Sequence, residues 1–165
     1  DCEENLCKYQ SITFCYLSAQ RMIQRNIFAM MGAIYFGLIS ILAVPSVLNV
    51  LIHTKKSSTV VTAYRRYAQT IFHSLLWFRE DIKENSKAWK AIDQVRKMHS
   101  FASKSANAAN IGFMTQRDMA NGQFSLMGFP VLYKTQLGIQ CSQKEMEDFC
   151  HLWRVLGHLF AIEDE

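Results

Sequence analysis

His99 is the residue whose type and placement most invite chemistry. On the helix predicted over 86–104 it falls seven positions after Ile92 and four after Val95, so it projects from the apolar stripe. A neutral imidazole on an apolar wall facing open space suits an iron ligand, such as the axial histidine of a haem. The other reading is a core histidine bonded to a backbone carbonyl, which periodicity alone favours. Arg96 lies one turn earlier, where it either pairs with a cofactor carboxylate such as a haem propionate or is a solvated cation.

A second cluster has the spacing i, i+3, i+4, i+7: Arg66, Gln69, Thr70 and His73 share one side of a helix. With Ile71, Phe72, Leu75 and Leu76 elsewhere, that stripe suits a cavity wall or a solvated face. The last helix carries a third set. Met146, Phe149, Cys150, Trp153, Leu156, Gly157 and Phe160 form a broad apolar side, extended by Leu152, Val155 and Leu159. Its narrow polar stripe is Glu147, His151, Arg154 and His158, which either lines an internal cavity or faces water. His151 and His158 are two turns apart, roughly 10 Å, too far to share one metal easily. No HExxH, Walker loop, GxGxxG or GxSxG is present.

The elements that must position these residues read as helices. Ser57-Ser58-Thr59 starts one that runs through AYRRYAQTIFHSLLWF; Asn85 or Ser86 opens the next, with Trp89, Ile92, Val95 and Ala102 on one face. Thr115 with Asp118, and Ser142 with Glu145, have the spacing of capping boxes. Gly128 with Pro130 is expected to stop the helix that Thr115 opens, and 103–110 reads as a loop or a frayed helix end. Residues 27–52 carry no charge and are long enough to span a bilayer. Gly32, Gly37, Ser40, Pro45, Ser46 and Asn49 interrupt them, so the expectation is buried helices split near Pro45. No alternating strand pattern competes, and the fold class is all-α, a single helical domain.

Composition sets the remaining bounds. Of 165 residues half are hydrophobic and only two are proline, ample material for a core. The net charge of +4 is mild, and Lys and Arg cluster only at Lys55-Lys56 and Arg65-Arg66, so no nucleic-acid partner is expected. Such a balance supports a weak preference for anionic groups, including headgroups or a cofactor carboxylate. Cys2, Cys7, Cys15, Cys141 and Cys150 form no CxxC pair, which argues against a zinc site or a disulfide scaffold. Their odd number favours reduced thiols and an intracellular compartment, with a bridge among the first three left open. Asp1, Glu3 and Glu4 stand where a signal peptide would carry basic residues.

The runs RRYAQT (65–70), WKAIDQVRKMHSFASK (89–104), MANGQFSLMGFPVL (119–132) and FCHLWRVLGHLFAIEDE (149–165), in this order, resemble one family. It is the catalytic domain of endoplasmic-reticulum-bound oxygenases and rubber oxygenase (latex-clearing protein). The resemblance runs from about Asn26 onward, setting 1–25 apart as an N-terminal segment and 26–165 as the catalytic-type domain. The family pattern continues past IED, so the domain is expected to be incomplete at its C-terminus. The resemblance implies an all-α fold holding b-type haem, with His99 as the axial iron ligand. It also matches Arg66, Gln69 and Thr70 to the family's Arg-x-x-Lys-Thr motif beside the distal pocket. Glutamine stands where the family has lysine; it can hydrogen-bond bound O2 but carries no charge. The carboxylate that rubber oxygenase carries upstream of the arginine has no counterpart in 27–52.

The implied function is a haem-b-dependent oxidoreductase that uses O2 on a hydrophobic or lipid-like substrate. Its implied setting is intracellular, with association to the endoplasmic-reticulum membrane. The alternative is a non-catalytic haem-binding or membrane-associated protein of the same fold, and a helical interaction domain without cofactor is a third reading. Arg66, Gln69, Thr70 and His99 are expected to converge on one internal cavity.

Overall fold

The computed structural model describes residues 2–163, with side chains described from Phe14 onward. Seven α-helices and no strand occur among the described residues: α1 (Cys2–Arg25), α2 (Ile27–Ser40), α3 (Pro45–Thr54), α4 (Val60–Arg79), α5 (Lys87–Ala108), α6 (Gln116–Leu132) and α7 (Gln143–Leu159). The fold is all-α, as expected. A 3-10 turn, Ile41–Ala43, bridges α2 and α3.

Local chemistry sets most boundaries. Thr59, Thr115 and Ser142 each accept from the amide three residues on, and the cap's own amide donates in return to the side chain of Thr62, Asp118 or Glu145, completing a capping box. Ser86 accepts from the Trp89 amide and opens α5. Val44 adopts an extended conformation before Pro45, whose missing N–H is harmless at the first helical position; this is the expected break. Expectation and structure part at two helix ends. Pro130 does not stop α6, which continues to Leu132. It sits in the last turn, where only one ladder bond is lost, and the Tyr133 amide still reaches the Phe129 carbonyl at 2.9 Å. The stretch 103–110 is helical as far as Ala108. There Asn110 turns left-handed, and the amides of Asn110 and Ile111 return to the carbonyls of Asn107 and Ala106, a Schellman closure.

The chain makes its sharpest corner at Asn26, where α1 and α2 meet at 90°. The Asn26 side chain donates to the carbonyls of Met22 and Gln140 and accepts from the Gln140 amide, tying the corner to the segment before α7. α1 packs chiefly on α7, α2 on α6, and α4 and α3 on α5. The core forms where these pairs meet: Met22, Ile23, Met30, Ile34, Phe78, Phe149, Leu152, Trp153 and Leu156 are essentially inaccessible. Each large apolar side chain so buried contributes about 1.5–3 kcal/mol. Because Ala19, Met22 and Ile23 belong to it, the core continues without a gap across position 26. α2 lays Met30, Ala33, Ile34, Gly37 and Leu38 against the protein and exposes its other side. Trp89 differs from expectation: it is exposed, and Ala88 and Ala91 join Ile92 and Val95 on the buried face of α5. Cys15, Cys141 and Cys150 are free thiols, whereas Cys2 and Cys7 lie outside the described side chains.

Candidate functional site

Ile92 and Val95 anchor α5 in the core, and His99 follows on the same stripe where α5 leaves it. There His99 lines an open pocket of about 320 Å³ with Arg96 and Lys104 from α5, Met114 and Met119 around the start of α6, and Phe160 after α7. That volume is at the lower end of small-molecule sites, about 300–1,000 Å³. The walls are pinned. The Ser103 hydroxyl accepts from the Met114 amide at 3.0 Å, and the Gln116 carboxamide donates to the Ala161 carbonyl at 3.1 Å. Phe160 is held from behind by Trp77, edge to face at 5.1 Å.

His99 stays open to solvent through the pocket mouth, yet the surrounding protein desolvates its ring enough to hold its pKa below the ordinary 6.5. The imidazole is therefore neutral near neutral pH, the form that ligates a metal. Two cations and an apolar floor around one neutral histidine can receive a flat apolar group that carries carboxylates. Among the described residues no group of three or more His, Cys, Asp or Glu converges on a common point.

The α4 cluster lies elsewhere. Gln69 is exposed, and the Thr70 hydroxyl donates to the Arg66 carbonyl of its own helix at 3.1 Å. Arg66 stacks its guanidinium over Tyr67, 4.3 Å from the ring centre, with Nε and Nη2 buried and lacking a hydrogen-bond partner. His73 is buried against Trp77, and burial lowers its pKa. None of Arg66, Gln69 and Thr70 lines the His99 pocket, so the four residues expected to share one cavity are divided between α4 and the α5–α6–α7 pocket. The other side of α4 borders a second, strongly apolar groove of about 680 Å³ between α2 and α4, walled by Tyr35, Tyr64, Tyr67, Ile71 and Phe72, and Arg66, Gln69 and Thr70 do not line it. On α7, Glu147, Arg154 and His158 are exposed and His151 is half-buried, so the polar stripe is the outer face of that helix.

His99 and Arg96, singled out by spacing, line this pocket with Lys104, Met114, Met119 and Phe160, which spacing did not single out as a set. Phe160 was legible only as part of an apolar side, because a pocket shared by the ends of distant helices has no periodic signature.

Fold and pocket define the class: an all-helical domain with a histidine at the mouth of a basic and apolar pocket. The chain belongs to the family of the ER-bound oxygenase mpaB/B'/rubber oxygenase catalytic domain, whose profile matches residues 20–165. Membership places it among oxygenase catalytic domains, which act with O2 on a substrate. No curated protein and no solved structure shows significant similarity to it.

Proposed function

We propose that the chain is a haem-b-dependent oxygenase acting on a hydrophobic substrate, with His99 as the axial iron ligand. The observation that carries this reading is the His99 pocket, whose donor set fits the group. A macrocycle brings four nitrogens of its own and needs one neutral imidazole, which His99 offers. Arg96 and Lys104 line the same pocket and would pair with two carboxylates, and Met114, Met119 and Phe160 would pack against an apolar ring. When bound, haem supplies the O2 chemistry; the protein supplies orientation and polarity.

By the resemblance, Arg66, Gln69 and Thr70 would take the family's distal positions, although they lie on α4 outside the His99 pocket. The buried, unpartnered nitrogens of Arg66 support a role in holding an oxygen-bearing group, and α4 packs directly on α5. Gln69 offers a neutral hydrogen bond where the family has a charge. Gln69 and the missing upstream carboxylate favour one competing reading, a haem-binding protein of this fold without turnover. Titrating the purified chain with haem tests the proposal. A saturable Soret band at one haem per chain is expected, and its absence overturns the reading; O2 consumption with an apolar alkene or lipid then separates turnover from binding alone.

A further inference from the structure

α7 buries a carboxylate that its neighbours only half satisfy. Asp148 is 1 % exposed, on the helix that packs against α1. Burying a charge is costly unless hydrogen bonds replace its water. Lys144, one turn earlier, donates to Oδ1, whereas no donor meets the buried Oδ2 in hydrogen-bond geometry. The same Lys144 ammonium also donates to the sulfur of Cys15 on α1, with Nζ 3.7 Å from Sγ. Desolvation pushes the Asp148 pKa up, but nearby Lys144, Ser18 and Cys15 outweigh it and hold the value below the usual 3.8. Asp148 is therefore ionised at neutral pH.

A helical ion pair at i, i+4 needs no sulfur. Here a thiol, an ammonium and a carboxylate meet at one seam, with Lys144 exposed and Cys15 half-buried. The sulfur is thus open to a small reagent. Thiol oxidation needs a nucleophilic sulfur, a group to take its proton and an acid for the departing oxygen. Cys15 precedes residues 20–165, which match the oxygenase profile, and it lines neither pocket.

We infer that Cys15 is a peroxide-reactive thiol, which Lys144 and Asp148 assist in its oxidation by hydrogen peroxide to the sulfenic acid. Asp148 takes the thiol proton as Sγ attacks one peroxide oxygen. The S–O bond forms, the O–O bond breaks, and Lys144 Nζ gives a proton to the departing hydroxide, which leaves as water. Asp148 then returns its proton to Lys144 across their hydrogen bond. In sum, Cys15–SH and H2O2 give Cys15–SOH and water; sulfur loses two electrons and the peroxide gains them. A small thiol then condenses with the sulfenic acid, releasing water, and a second thiol reduces the mixed disulfide. This inference goes beyond the haem proposal and stands without it, since chain without added haem suffices for the test.

The experiment treats the folded chain with hydrogen peroxide in the presence of dimedone, which captures sulfenic acids. Mass spectrometry of tryptic peptides follows each site, because Cys15 falls in peptide 9–21 and Cys150 in peptide 145–154. Cys150 is the internal control: it is half-buried as well, and burial with Glu147 pushes its thiol pKa up. Cys15 should be labelled at least about ten-fold faster than Cys150, a modest share of what a positioned acid or base contributes. Lys144→Met and Asp148→Asn should each slow Cys15 by at least about ten-fold, with circular dichroism verifying the fold. In denaturing urea the preference should vanish. Where a variant fails to fold, the comparison of the two thiols in the wild-type chain, folded and in urea, still decides. Equal labelling of Cys15 and Cys150, a preference that survives urea, or a folded Lys144→Met chain with the full rate would each overturn the inference.

Discussion

Gly37 of α2 and Ser125 of α6 meet backbone to backbone: a Cβ added at Gly37 would lie 1.4 Å from the Ser125 carbonyl oxygen. Since α2 packs chiefly on α6, this approach sets the spacing of the pair. Overfilling a packed site usually costs about 1–3 kcal/mol, and an obstruction that is backbone cannot step aside as a side chain does. Gly37→Ala should therefore fall at or above the top of that range. The readout is the midpoint of urea unfolding, and an unchanged midpoint would show that the helices sit farther apart.

Ala161 holds a left-handed conformation, φ 60°, so that its amide and that of Ile162 can return to the carbonyls of His158 and Gly157 and close α7. A left-handed L-residue costs about 1–2 kcal/mol, and glycine avoids that while giving up some chain entropy. Ala161→Gly should raise stability, by up to about 1 kcal/mol. A lower thermal midpoint would contradict this.

Asp118 joins two helices, since its carboxylate accepts from Thr115 in its own capping box and from the Ser46 hydroxyl of α3. Desolvation alone would raise its pKa; the hydrogen bonds from Ser46 and Thr115, with nearby Arg117, outweigh it and hold the value below the ordinary 3.8. A depressed carboxyl pKa gives stability that is fully present above 3.8 and lost as pH falls through the lower folded value. Unfolding followed into acid should thus lose this contribution in the wild-type chain, while Asp118→Asn should lack that step. At neutral pH, Ser46→Ala should cost about 1.5 kcal/mol, the lower end for a hydrogen bond to a charged group.

The haem proposal separates two histidines. His99→Ala should weaken haem retention by more than about ten-fold, the scale seen even when only a ligand's outer partner is removed. His151→Ala, on the outer side of α7, should leave it unchanged. Soret absorbance per mole of folded protein decides. Full retention by His99→Ala would falsify the assignment, and loss in the His151 variant alone would move the ligand to α7.

Helix starts were legible in the sequence because a cap and its partner lie three residues apart, as in Thr115–Asp118 and Ser142–Glu145. The burial of Ile92 and Val95 followed from periodicity for the same local reason. Pro130 misled because its effect depends on how many turns remain after it. The pocket itself was hidden: Phe160 and Met114 join His99 in its lining through chain reversals that no local pattern encodes. Nor could spacing tell that Asp118, read as a cap, also binds Ser46, 72 residues away.

The pairing of α1 with α7 joins the first and last described helices, and Asn26 bonds a segment 114 residues distant. Ribosomes add about 5–20 residues each second, so on the nascent chain α1 waits several seconds or more for its partner. Throughout that interval Ala19, Met22 and Ile23, fully covered in the finished fold, remain without their cover. α2 and α6 can dock earlier, and α1 can already meet the end of α4 through Tyr16, so the side of α1 that α7 covers is the last part of that helix to gain its neighbour.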